Sequence, residues 1–144
     1  MSNTNENYIK AWLRGCSAID ANNRLRVDYL GENAVEYSLI SSPSSIVYKE
    51  NVLGEMVPQL RQQVNYIFAA RLPYGQDTET NAANLDLFKN IINWIIEQNN
   101  IRNMPEMIDG KITAVVPTLT PFVAVVGADA AKYQIQLQVT YRRV

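Results

Sequence analysis

Residues 132–142 (KYQIQLQVTYR) alternate without interruption. Tyr133, Ile135, Leu137, Val139 and Tyr141 form one set; Lys132, Gln134, Gln136, Gln138, Thr140 and Arg142 form the other. A period of two sends the two sets to opposite faces of a pleated strand. The apolar face is expected to cover a hydrophobic core. The polar face carries neutral hydrogen-bonding groups and a basic end. That suits either a solvated antiparallel sheet or a face or edge that meets another subunit.

Two stretches follow a helical period instead. Tyr8, Ile9, Trp12, Leu13, Cys16 and Ile19 predict a helix over 5–19. It follows a polar start, 1–5, that is expected to be flexible. Leu85, Phe88, Ile91, Ile92, Ile95 and Ile96 form a broader stripe, with Leu87 and Trp94 at its margins, and predict a helix over 78–99. Thr78 and Thr80 are its candidate caps, while Asp77 and Glu79 suit its positive start. Both stripes read as core-facing.

Shorter alternations predict the remaining strands. Residues 24–30 (RLRVDYL) and 35–41 (VEYSLIS), joined by the turn 31–33, read as a hairpin. Residues 46–52 are a weaker strand. In 59–72 (QLRQQVNYIFAARL), Val64, Tyr66, Phe68 and Ala70 share a face, and the aromatic and β-branched side chains favour a strand. Residues 111–116 read as another. The run 122–126 is continuously apolar, as a buried strand can be. Turns are expected at 20–23, 73–77, 108–110 and 127–130. The order of helix, strands, helix, strands predicts an α+β fold, a mainly antiparallel sheet with two main helices packed on one face. At 144 residues the chain is expected to be a single domain, 1–144.

Composition narrows the function. With 47% hydrophobic and 19% charged residues the chain can build a core. A net charge of -1 shows no basic bias toward specific nucleic-acid binding. No apolar run reaches the roughly 18–20 residues of a membrane span. The polar first ten residues lack the order of a signal peptide, so a cytosolic origin is expected. Histidine is absent and Cys16 is the only cysteine. An intrachain disulfide, a thiolate metal cluster within the chain and every His-dependent nucleophile pair are thereby excluded. Cys16 reads as a small hydrophobe on the first helix.

Candidate chemistry is sparse. There is no Gly-rich phosphate loop, no nucleophile elbow and no DxD or ExxE pair of carboxylates. Asp28, Glu32 and Glu36 fall within the expected hairpin and read as solvated. No cofactor is expected, and the chain reads as a non-enzyme. The arginines are the remaining candidates: Arg24 and Arg26, Arg61 and Arg71 flanking the aromatic strand, and Arg142 and Arg143. They suit ion pairs or a protein interface better than nucleic acid, although a guanidinium fork matches phosphate as well as carboxylate.

Three segments resemble the tail terminator proteins of tailed bacteriophages, prophages and phage-tail-like bacteriocins of Gram-positive hosts. They are 61–75 (RQQVNYIFAARLPYG), 84–99 (NLDLFKNIINWIIEQN) and 129–143 (DAAKYQIQLQVTYRR), about a third of the chain. The resemblance implies a structural virion protein, a homohexameric ring on the head-proximal end of the tail tube. Such a ring stops tube polymerisation and offers a docking surface for the head–tail connector; in contractile tails it also contacts the sheath. Its implied partners are copies of itself, the tube protein, the sheath protein and the connector, with no membrane and with DNA passing through the ring. The family has no catalytic residues to transfer. Interface candidates therefore come from this chain: Gln134, Gln136 and Gln138 on the polar strand face, with Arg71, Tyr74 and Arg142 near its ends. The alternatives are another minor tail or head–tail joining protein, or a small cytosolic α+β enzyme or ligand-binding domain.

Overall fold

The computed structural model describes residues 4–19, 25–28, 30, 35–108, 110–127 and 130–143. The turns expected at 20–23 and 31–33, Arg24 and Glu32 lie outside them. Two helices, α1 (Asn5–Leu13) and α2 (Thr78–Asn100), accompany eight strands: β1 (Leu25–Val27), β2 (Glu36–Ser42), β3 (Tyr48–Glu50), β4 (Met56–Pro58), β5 (Arg61–Pro73), β6 (Gly110–Pro117), β7 (Phe122–Val126) and β8 (Ala130–Arg143). The fold is α+β. The main sheet runs β1-β2-β5-β8-β6, with β7 also on β8. All its pairs are antiparallel except β1 with β2.

The frame is the β5–β8 ladder, which runs in register from Arg61↔Arg142 to Pro73↔Ala130. Alternation on both strands aligns Tyr66, Phe68, Ala70 and Leu72 with Tyr133, Ile135, Leu137 and Val139 in one buried face. Both helices pack on that face. Phe88 and Ile91 of α2 and Ile9 and Leu13 of α1 join the same core. Phe88 lies edge-on to Phe68 at 6.0 Å and stacked on Tyr133 at 6.2 Å. Side chains tie α1 to the rest of the fold. Trp12 contacts Trp94 at 4.9 Å and donates to the Asn103 carbonyl at 2.8 Å, and the Tyr66 hydroxyl donates to Glu6 at 3.3 Å.

Several elements depart from the sequence expectation. The first helix ends at Leu13, not at Ile19. From Gly15 onward its hydrogen bonds tighten to three-residue turns, Gly15 to Trp12, Cys16 to Leu13 and Ile19 to Cys16. Cys16 and Ile19 remain buried. Helix α2 is capped by Asp77, whose carboxylate accepts from the Glu79 amide and the Thr80 hydroxyl, rather than by either threonine.

Strands β1 and β2 form no hairpin; they run parallel, Leu25 beside Tyr37 and Val27 beside Leu39. Asp28 adopts a left-handed conformation (φ 55) and stops β1 at Val27. Its carboxylate accepts from the Ser41 amide at 2.6 Å, which ties the end of β1 to β2. The weak strand at 46–52 becomes half of a separate two-stranded hairpin with β4. Strand β7 is exposed along its whole length, not buried. It extends the edge beyond β6, and α2 packs against β6 and β5 instead.

Candidate interaction surfaces

The sheet face opposite the helices is covered by no described element. Register and alternation place Gln63, Asn65, Ile67, Ala69 and Arg71 of β5 there beside Lys132, Gln134, Gln136, Gln138 and Thr140 of β8. Ser38 and Ala69 are buried, while the Gln residues of β8 are half-buried. The Gln138 amide donates to the Gln63 carbonyl at 3.3 Å, a polar contact between neighbouring strands.

Charge gathers at the two ends of this face. At one end Glu36, Arg71 and Lys132 lie in register, and Arg26 pairs with Glu36 at 3.7 Å. At the other end Arg61, Arg142 and Lys111 lie in register across β5, β8 and β6, and all three are exposed.

The six expected interface residues therefore separate. Gln134, Gln136, Gln138, Arg71 and Arg142 share the open face, with Arg71 and Arg142 at its opposite ends. Tyr74 does not join them. It packs against the core with its ring 6.5 Å from Tyr133, because the chain turns toward α2 after Pro73. Strand β8 is also an interior strand, flanked by β5 and by β6 and β7, so its own edge is unavailable to a partner.

The strongest unpartnered surfaces are apolar. The β3–β4 hairpin stands off the main sheet. Leu53 is 79% exposed and Met56 69%, and Ile46, Val47, Tyr48, Val52 and Leu60 are exposed with them. Gln62, itself buried, anchors the base of the hairpin. Its side chain accepts from the Val47 amide at 3.0 Å and donates to the Val47 carbonyl at 2.8 Å. Strand β7 is the second apolar surface, with Phe122, Val123, Val125 and Val126 exposed at an outer edge of the sheet. The hairpin joins β5 at its Arg61 end, whereas β7 pairs with β8 at its Ala130 end. The two surfaces thus sit at opposite ends of the longest ladder. Isolated hairpins are marginal in water, and exposed apolar edges are templates for pairing. Exposure of these elements could not be read from sequence: a continuous apolar run looks the same whether a helix covers it or not.

A groove of about 760 Å³ runs along the outer side of β6. Met104, Met107, Ile108 and Ile112 line it together with Arg102, Lys111, Arg142 and Glu106. It gathers cations and apolar side chains, with Glu106 as its one carboxylate among the described residues. Among the described residues no three Cys, Asp or Glu side chains come together as metal ligands. No helix among the described residues is long and apolar enough to cross a membrane. Burial raises the Cys16 thiol pKa, against smaller opposing effects of the Ala18 and Ile19 backbones, which suits its place in the core.

No protein-family model matches the chain, and no curated protein matches it. One solved structure superposes over 96% of this chain and 91% of its own, with a TM-score of 0.47 and 8% identity, a likeness that carries no argument.

Proposed function

We propose that this chain is a tail terminator. In this reading its copies close into a ring on the head-proximal end of a tail tube, in a phage or a phage-tail-like particle. The ring stops polymerisation and presents a docking surface to the head–tail connector, and in a contractile tail it also meets the sheath. The role is structural and non-enzymatic. The chain acts through its surfaces, in the virion tail assembled in the host cytoplasm.

The observation that carries the reading is the pair of apolar surfaces at opposite ends of the β5–β8 ladder. A contact between two different surfaces of identical chains is heterologous, and repetition of such a contact generates a ring when the rotation closes. The hairpin and β7 supply the subunit contacts in this account. The open face, with Gln134, Gln136, Gln138, Arg71 and Arg142, is left for a further partner. The three segments that resemble tail terminators also belong together in space. They are essentially β5, α2 and β8, joined through Phe68, Phe88 and Tyr133.

The test is to add purified protein to polymerising tail-tube protein and measure tube lengths by negative-stain electron microscopy. The reading expects shorter tubes with density at one end. Tubes of unchanged length and bare ends would contradict it.

A further inference from the structure

The row Arg61–Arg142–Lys111 has a feature that the chain's net charge of -1 conceals. Three cations stand directly opposite one another on neighbouring strands. Like charges so placed repel unless an anion lies between them. No carboxylate pairs with any of the three among the described residues; Arg26–Glu36 and Asp86–Lys89 lie elsewhere. Arg102 extends the strip along the groove that Lys111 and Arg142 also line, where Glu106 is the one acidic group among the described residues.

We infer that this basic end of the open sheet face docks the phosphate backbone of duplex nucleic acid, independently of sequence. Several features favour that occupant. Neighbouring strands are about 4.8 Å apart, so the three charges form a straight row about 10 Å long. That geometry suits a linear polyanion. Next to the row stands the exposed Gln63, with Gln138 bonded to it, neutral groups of the kind that bond phosphate oxygens. Phe122, at the rim, is the one aromatic side chain that register places on this face among the described residues, so single strands find no stacking platform. The face is flat and offers no helix or ribbon to enter a groove, which leaves bases unread.

This inference stands on the sheet face and does not rest on ring formation. It adds a partner that the overall charge argues against.

The experiment is fluorescence anisotropy of the full chain with labelled 20-base-pair duplexes of two unrelated sequences, titrated between 25 and 200 mM salt. Equal affinity for both sequences is expected. For about three phosphate contacts, affinity should fall about 40-fold between 50 and 200 mM. The double variant Arg61→Glu/Arg142→Glu should lose binding while keeping the parent's circular dichroism spectrum. Lys89→Glu, on the exposed side of α2, should bind as the parent does. Absence of binding at 25 mM salt would overturn the inference. So would binding that survives the double variant, or binding of a polyglutamate in place of the duplex. The mass of the protein in solution reads ring formation separately, so either proposal can fail without the other.

Discussion

The side-chain amide of Asn99 holds both backbone groups of Val115. Its oxygen accepts from the Val115 amide at 2.9 Å and its nitrogen donates to the Val115 carbonyl at 2.5 Å. Val115 pairs with Val139 on its inner side, so these are the groups that β6 would otherwise offer to a further strand. A helix residue thus takes the place of a neighbouring strand and blunts one exposed edge. Loss of a partner from half-buried backbone groups costs about 1–3 kcal/mol. Asn99→Leu is expected to lower unfolding free energy by that amount in urea titrations. It is also expected to promote concentration-dependent association through the freed edge, read by light scattering.

Gln62 applies the same device to Val47 at the base of the hairpin. Gln62→Leu removes these bonds, and the one Gln62 donates to the Gln59 carbonyl at 2.9 Å, while keeping bulk. The β3–β4 amides are expected to lose hydrogen-exchange protection, while those of β5 and β8 keep theirs. Equal loss across all four strands would show that the hairpin is part of the main cooperative unit.

Ionisation marks the two pH limits of stability. Burial raises the pKa of Tyr66 first, and the neighbouring Glu6 raises it further. A raised folded pKa gives stability that is complete below tyrosine's ordinary value, near 10, and is lost as pH rises above it. Tyr66→Phe is expected to flatten that alkaline decline, and to cost about 1 kcal/mol at neutral pH through the lost bond to Glu6. Asp77 works in the opposite sense. The Thr80 hydroxyl, then the Glu79 and Thr80 amides, lower its pKa. Its contribution is therefore present above the usual carboxylate range and lost as pH falls through the lowered value. Asp77→Ala is expected to reduce melting temperature at pH 7 and to have a smaller effect at pH 2.

The sequence pattern disclosed the elements whose burial follows their own periodicity. The alternation in 132–142 gave the buried face of β8, and the stripe through Phe88, Ile91 and Ile95 gave that of α2. Placement beyond periodicity was not legible. Whether β7 is covered depends on where α2 lies, which no local pattern encodes. Strand β1 stops before Asp28, which takes a left-handed conformation, whereas the alternation through 24–30 runs on past it. The parallel direction of β1 against β2 is not encoded in either strand's own period. The polar face of Gln134, Gln136 and Gln138 was visible from their spacing. The alignment of Arg61, Arg142 and Lys111 was not, because it requires the register of three strands distant in sequence.

The hairpin tip offers the cleanest separation of assembly from stability. Val52 and Leu53 are exposed, so Val52→Asp/Leu53→Asp is expected to change unfolding free energy by less than about 0.5 kcal/mol. The same change is expected to abolish assembly, seen as a fall in sedimentation coefficient to that of the single chain.

The most direct measurement is the mass of the purified protein by multi-angle light scattering, alone and with tail tubes. The account expects rings of about six copies, or single chains that become rings when tubes are added, as heterologous closure requires. A stable monomer of 16.3 kDa that ignores tubes would contradict it.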